Sequence, residues 1–422
     1  MTSQQIIAIV IFLVTMAAVM TEKVHRAVAA MAGAILMILF HILNLSDCVS
    51  HVDVNTLGVL VGMMIFVAVV KKSGIFEYVA IKSAKLAKGK PWRIMVSFVL
   101  ITAILSAFLD NVTTVLLVGP MTLAITGILG INPIPYMISE ILASNMGGTA
   151  TLIGDPPNIM IGSAAGLGFS DFLLNTGFPV VVILALTLLC FRFLYVKEMQ
   201  VDQEAMDKVM SLDENVAIHD KTLMIKSLIV MALIVLGFIL HSQTGIESGV
   251  VALAGAVIIL LIGKQDAEDI ILSVEWSTIL FFIGLFVVVG GLQEVGVINM
   301  LAQMMINATQ GNMAMSLLII LWASALISAF LDNIPFVATM IPLILTMGQS
   351  GMNITPLWWA LSLGACLGGN GTLIGASANV VLSSISTKNG YPITFKSFTK
   401  IGFPIMLMSI AVSTVWLLLR FA

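Results

Sequence analysis

The hexapeptide Ser-Ala-Phe-Leu-Asp-Asn occurs twice, at 106–111 and at 328–333, in a chain of 422 residues. The copies lie 222 residues apart, and a proline follows each at the same distance, Pro120 and Pro342. Farther on, Gly-Gly-Thr-Ala-Thr-Leu-Ile-Gly-Asp-Pro-Pro-Asn at 147–158 is matched by Gly-Gly-Asn-Gly-Thr-Leu-Ile-Gly-Ala-Ser-Ala-Asn at 368–379. The chain is one half used twice, and each half places an Asp inside apolar sequence. A carboxylate at membrane depth is costly and marks a functional site. Two of them, related by an internal repeat, point to a secondary transporter with its site between the halves.

Composition sets the solvent. Hydrophobic residues make up 59% of the chain and charged residues 10%, against about a quarter charged in soluble domains. The apolar runs last ~17–25 residues instead of alternating over ten, so the expected class is an all-α polytopic membrane protein. A net charge of −3 decides nothing about partners. Cys48, Cys190 and Cys366 share no close spacing, and the five histidines make no zinc pattern. The first apolar run, 6–20, lacks a basic leader and a small-residue cleavage site, and reads as a retained helix.

Hydropathy predicts spans near 5–20, 27–43 and 56–70, then an amphipathic stretch at 73–90. Two apolar arms follow around Asp110-Asn111. A span at 135–162 is broken by Gly and Pro, and another covers 172–195. The plan then repeats from 223 to 419. This gives a first repeat at 1–196, a cytoplasmic linker at 197–221 and a second repeat at 222–422. If the Asp-Asn segments are re-entrant hairpin tips, each half has five true spans. An odd number forces the halves into opposite orientation. With both termini outside, 18 of the 19 basic residues fall inside and only Arg420 outside. The 73–90 stretch carries four lysines and its repeat mate, 295–312, carries none. Such a bias supports inverted repeats in a cell inner (plasma) membrane.

The hairpin tips, Asp110-Asn111-Val112-Thr113 and Asp332-Asn333, expose helix ends at depth, which is tolerated only beside protein or a wet cavity. Gly permits the neighbouring spans to unwind, and Pro156-Pro157 stops helix running through. Asn145, Thr149, Thr151 and Asn158 add oxygens on one side; Asn370, Thr372 and Asn379, with Ser377, add them on the other. Neutral oxygens beside a carboxylate suit Na⁺, a proton relay or a neutral hydroxylated solute. No Lys, Arg or His falls in these motifs, which argues against a multiply charged anion.

These motifs resemble the ion transporter superfamily, and within it the ArsB/NhaD permease branch that also includes the melanosomal P protein. The likeness rests on Leu-Asp-Asn-Val-Thr-Thr at 109–114, Leu-Asp-Asn at 331–333, and the Gly-Thr-rich runs at 148–158 and 371–375. It implies ten or eleven spans, two re-entrant hairpins, a scaffold with a moving transport domain, dimerisation and elevator motion. Asp110 and Asp332 replace the Ser of the Na⁺–dicarboxylate relatives' tips, a departure that favours proton coupling.

Other readings stand beside these. Asp110 and Asp332 could simply cap the second hairpin arms, which is compatible with function. Glu140 has Ser362 as its repeat mate and is equally a proton relay or a water-facing or paired carboxylate. Asp155, whose mate is Ala376, is a third titratable candidate. Cys366 reads as a small hydrophobe. An aspartyl protease needs two carboxylates sharing a proton, which tips from opposite faces do not provide, and no phosphate loop supports ATP hydrolysis. The chain is expected to be no enzyme and to need no cofactor, metal or nucleic acid. The expected function is proton-coupled export of arsenite or antimonite, with Asp110 and Asp332 carrying the proton. Na⁺/H⁺ antiport is the alternative, and a passive channel a third. Membrane lipid, a homodimeric partner and a cytoplasmic ATPase subunit complete the partners considered.

Overall fold

The computed structural model describes residues 1–21, 23–196 and 199–421. Lys197, counted above among the inner basic residues, lies outside them. The described residues are helical, with no strand.

The first half contains α1 (Ser3–Thr21), α2 (Arg26–Leu39), α3 (Leu45–His51), α4 (Val54–Lys71), α5 (Ile75–Leu86), α6 (Pro91–Phe108), α7 (Asn111–Leu129), α8 (Ile134–Thr149), α9 (Pro156–Ala165), α10 (Phe169–Phe172) and α11 (Phe178–Tyr195). After α12 (Gln203–Met210) the second half contains α13 (Lys221–Thr244), α14 (Ser248–Gly263), α15 (Ala267–Leu272), α16 (Trp276–Glu294), α17 (Val297–Thr309), α18 (Met313–Ser328), α19 (Asn333–Gln349), α20 (Thr355–Gly368), α21 (Ser377–Lys388) and α22 (Phe395–Phe421). Eight helices among the described residues are long and apolar enough to cross a membrane.

The repeat is kept element by element. Helices α2, α4, α5, α6 and α7 start 222 residues before α14, α16, α17, α18 and α19. Between α8 and α20, and between α9 and α21, the offset is 221. The mate of Glu140 is therefore Leu361 and not Ser362.

Two packing groups result. In the first, the frame, helices pair across the halves: α4 lies on α14 and α2 on α16. The contact points are repeat mates too. A Cβ added at Gly62 would lie 2.5 Å from the Ala252 carbonyl carbon, and one at Gly284 2.6 Å from that of Ala30. Small residues let backbones close up where lipid gives no hydrophobic drive. In the second group, the cassette, α6 packs on α8 and α18 on α20, while α7 meets α21 and α19 meets α9. Gly147 closes on Ala103 and Gly368 on Ala325, again as mates.

Both Asp-Asn segments are tight hairpin tips. Each tip reaches the break between a pair of helices, α8/α9 or α20/α21. Helix α9 continues ten residues past its break, roughly 15 Å of rise, so the tips end inside the protein. Two glycines, Gly74 and Gly296, begin the amphipathic helices α5 and α17 with φ of 81° and 78°, a region that favours glycine.

The segment at 199–221 is more than a connection. Helix α12 packs on α5 and α7, and Val209 is buried. The His219 N–H donates to the Ser73 carbonyl at 3.0 Å. Lys85 Nζ donates to the Leu212 carbonyl at 2.8 Å and pairs with Glu214.

Candidate functional site

The broken helices are held open by a repeated device. Asn158 Nδ2 donates to the Thr151 carbonyl and Asn379 Nδ2 to the Thr372 carbonyl, both at 2.9 Å. The Thr151 hydroxyl donates to the Ala107 carbonyl and the Thr372 hydroxyl to that of Ala329. The hexapeptide serines do the same work one turn away: Ser106 donates to the Ser144 carbonyl at 2.6 Å and Ser328 to the Ala365 carbonyl at 2.7 Å. Thr149 donates to the carbonyl of Asn145 at 2.7 Å, and Thr113 to the Asp110 carboxylate. These side chains tie each break to its hairpin and hold the site's shape.

What the breaks expose is an amide cluster spanning both halves. Asn111 Nδ2 at the first tip donates to Asn145 Oδ1 at 3.1 Å. Asn145 Nδ2 in turn donates to Asn370 Oδ1 and Asn379 Oδ1, each at 2.9 Å. At the second tip Asn333 Nδ2 donates to both Asp155 oxygens, at 3.2 and 3.4 Å. Asn158 Oδ1 accepts from Ser362 at 2.7 Å and faces the Cys366 thiol at 3.6 Å. The thiol is buried, and Cys48 and Cys190 are remote from it in sequence, so it is a lone soft ligand.

The acidic residues are helix N-caps. Asp110 accepts from the Thr113 N–H at 2.8 Å and caps α7. Asp332 accepts from the Ile334 N–H at 3.1 Å and caps α19. Asp155 precedes α9 without capping it, because Asn333 occupies its carboxylate. Helix α21 starts after Ala376 with no side-chain cap. Positive helix ends therefore converge from both halves.

One expectation is corrected outright: the site has a cationic side chain. Arg26, the first residue of α2, donates to Ser377 Oγ at 2.9 Å and to Thr278 Oγ1 at 3.0 Å. It lies 4.0 Å from the Asp332 carboxylate, with side chains 30% and 21% exposed. Its guanidinium also covers the Phe281 ring at 5.5 Å. Ser377 and Asp332 belong to the cassette and Arg26 to the frame, so these bonds cross the interface between the two groups. Hydropathy reading had placed Arg26 among the cytoplasmic topology markers. Its real place was hidden because its partners are 252 to 351 residues away. His25 and Glu275 were missed for the same reason.

Two cavities meet at Arg26. A larger one, ≈ 400 Å³, is lined by His25, Arg26, Glu275, Asp332 and Ser377 among apolar neighbours. A smaller one, ≈ 30 Å³, lies between both tips and is lined by Asp110, Asp155, Glu275, Asn111, Asn333 and Arg26. Its size is roughly that of one water molecule. The arrangement offers a confined place for a proton or a small cation beside a roomier one with a guanidinium.

Comparison with known proteins places this architecture. A family model described as citrate transporter, CitMHS, matches residues 16–364. The chain is 42% identical to a 46 kDa membrane protein of Mycobacterium leprae over 99% of both chains. It is 42% identical to an uncharacterized transporter of Mycobacterium tuberculosis over 99% of this chain and 98% of that one. The human P protein is 34% identical over 99% of this chain, which spans 60% of the P protein's length. Among solved structures, the YdaH transporter of Alcanivorax borkumensis superposes with a TM-score of 0.61 at 15% identity, covering 92% of this chain and 89% of its own. MtrF of Neisseria gonorrhoeae gives 0.59 at 11% identity, over 92% and 84%. At such identities these two structures speak to the fold alone.

Proposed function

The chain belongs to the citrate transporter family, CitMHS, and from that premise we propose that it is a proton-coupled secondary transporter of a small carboxylate-bearing solute. The supporting observation is Arg26, shared among Ser377, Thr278 and Asp332 at the mouth of the larger cavity. A solute carboxylate competes with Asp332 for that guanidinium. The uncapped start of α21 adds N–H donors on the same wall. A proton on Asp332 removes the internal competitor, so proton and solute bind together and release together. At 4.0 Å the Arg26–Asp332 pair is loose enough to exchange, unlike a bidentate fork. Asp110 and Asp155, beside the amide cluster of Asn111, Asn145, Asn370 and Asn379, supply the further titratable positions. Movement of the cassette against the frame in an elevator stroke requires the Arg26 bonds to break, which ties motion to the state of the site.

Arsenite export was favoured from sequence because no cationic side chain was in view, and Arg26 removes that ground. Na⁺/H⁺ exchange keeps a specific support: the small cavity with its three carboxylates and amide oxygens.

The deciding experiment is flux in proteoliposomes, with and without an imposed pH gradient, for citrate, arsenite and Na⁺. Citrate uptake driven by inward proton flow, and lost in Arg26→Ala, is expected. Gradient-driven flux of Na⁺ or arsenite with none of citrate would replace this reading. Flux indifferent to the gradient would mark a channel.

A further inference from the structure

Glu140 takes no part in the site described above. It stands mid-way along α8 and is fully buried, so it does not face water. No Lys, Arg or His among the described residues forms an ion pair with it. Its Oε1 accepts from the Thr122 hydroxyl on α7, while its buried Oε2 has no partner.

Thr122 belongs to a buried polar stripe that Val115 and Val118 interrupt. Asn111, Thr114, Thr122 and Thr126 recur at helical spacing along α7, and all four are buried. The Thr114 hydroxyl is also without a partner, as is that of Thr102 on α6, which packs against α7 and α8. Buried polar atoms are nearly always paired. Three orphaned oxygens within one hairpin and its neighbour mark a place kept for chemistry. Most of this set is peculiar to the first half: on α19 the mates of Thr114, Thr122 and Thr126 are Phe336, Ile344 and Gly348, and Leu361 stands opposite Glu140, whereas Thr102 has Ser324 as its mate, equally without a partner.

The surrounding elements bring little charge. Helix α7 has no titratable residue beyond its cap, Asp110, and α20 has only Cys366. Arg93 on α6, Arg192 on α11 and Lys388 on α21 are exposed. Tyr136, one turn before Glu140, donates its hydroxyl to the Pro91 carbonyl at 3.0 Å. Helix α5, which packs on α7, carries Glu77, whose Oε2 is itself orphaned, the exposed Lys82, which donates to Tyr78, and Lys85, which pairs with Glu214. Helix α12 adds Glu204, Asp207 and Lys208 there, all at its exposed surface or half-buried edge.

We infer that Glu140 is a second proton-binding site of the cassette, separate from the hairpin-tip carboxylates and serving the threonine face of α7. Water at the end where α7 and α8 join gives a proton to the carboxylate; the acid returns it to water in the reverse step. The cassette thereby carries a proton of its own through the first hairpin, which the second hairpin lacks. Only the use of that proton in transport rests on the coupled-transport reading; its binding does not.

Infrared difference spectroscopy of the purified full chain during a pH titration tests this without any cargo. A carboxylic C=O band is expected that disappears in Glu140→Gln, persists in Asp155→Asn, and shifts in Thr122→Val as one hydrogen bond is lost. The Thr122 variant keeps the test decisive should Glu140→Gln fold poorly. A difference spectrum unchanged by both Glu140→Gln and Thr122→Val would overturn the assignment. Absence of citrate flux would not touch it, so the two proposals fail separately.

Discussion

Asp110 and Asp332 show how one side chain serves structure and chemistry together. Each caps a hairpin arm by accepting backbone N–H groups, and each stands at the mouth of a cavity. Removing the cap should cost about 1 kcal/mol, and replacing Asp by Asn only a fraction of that, because Asn caps as well. Asp110→Ala is therefore expected to lower the unfolding temperature measurably and Asp110→Asn to leave it nearly unchanged. Both should lose pH-driven flux. Full pH-dependent flux in Asp110→Asn would reduce this residue to a cap. At Arg26 the expectation runs through geometry: Lys keeps the charge but not the planar fork. Arg26→Lys should weaken stabilisation of the purified protein by citrate about tenfold in apparent affinity, ~1.4 kcal/mol. Thermal stabilisation across a citrate series reads it directly, and equal affinity in the two proteins would remove Arg26 from the cargo site.

Among elements, the frame depends on close helix approach. With 2.5–2.6 Å between an added Cβ and the facing backbone, Gly62→Val and Gly284→Val each force α4 from α14 or α16 from α2. Overpacking of this kind costs roughly 1–3 kcal/mol. The two variants should destabilise alike, since they are repeat mates; thermal unfolding in detergent measures both. The docked segment after α11 behaves differently. The Lys85 hydrogen bond holds the Glu214 carboxyl below the usual range, with the Glu214 backbone N–H next and the Lys85 charge a smaller contribution. A depressed pKa means the contact contributes at neutral pH and is lost as pH falls through the folded-state value. Limited proteolysis within 203–217 should therefore quicken on acidification. Lys85→Gln should show the fast rate already at pH 7. A rate independent of pH in the parent protein would mean that the ion pair does not hold the segment.

Over the whole molecule, inverted repeats make a claim about sidedness. We expect cysteines introduced at 73–90 to label only from the cytoplasm and those at 295–312 only from outside, with both termini outside. The contrast of four lysines against none motivates it. Labelling of both stretches from one side would contradict the proposed orientation, because α5 and α17 are repeat mates in the two halves.

The repeat, the hairpin tips, the breaks at 147–158 and 368–379 and the membrane class could be read from the chain alone. Each is a local signal: an apolar run, a Gly-Pro interruption, an Asp before a helix, a spacing that recurs. Local signals also identified the polar residues near the breaks, yet not their work. Thr151 and Thr372 look like ligands in sequence, but their hydroxyls are taken by Ala107 and Ala329, because an unwound helix must have its carbonyls satisfied before it can offer anything to a solute. Arg26, His25 and Glu275 carried no local signal at all, since basic and acidic residues at helix ends read as membrane-surface markers. They reach the site only because inverted halves cross, setting α2 of one against α16 of the other. The residues themselves determined that two carboxylates would sit at two helix tips. Tertiary packing alone decided that a guanidinium would stand beside Asp332, and that the buried acid Glu140 would be sealed away with one oxygen unpaired.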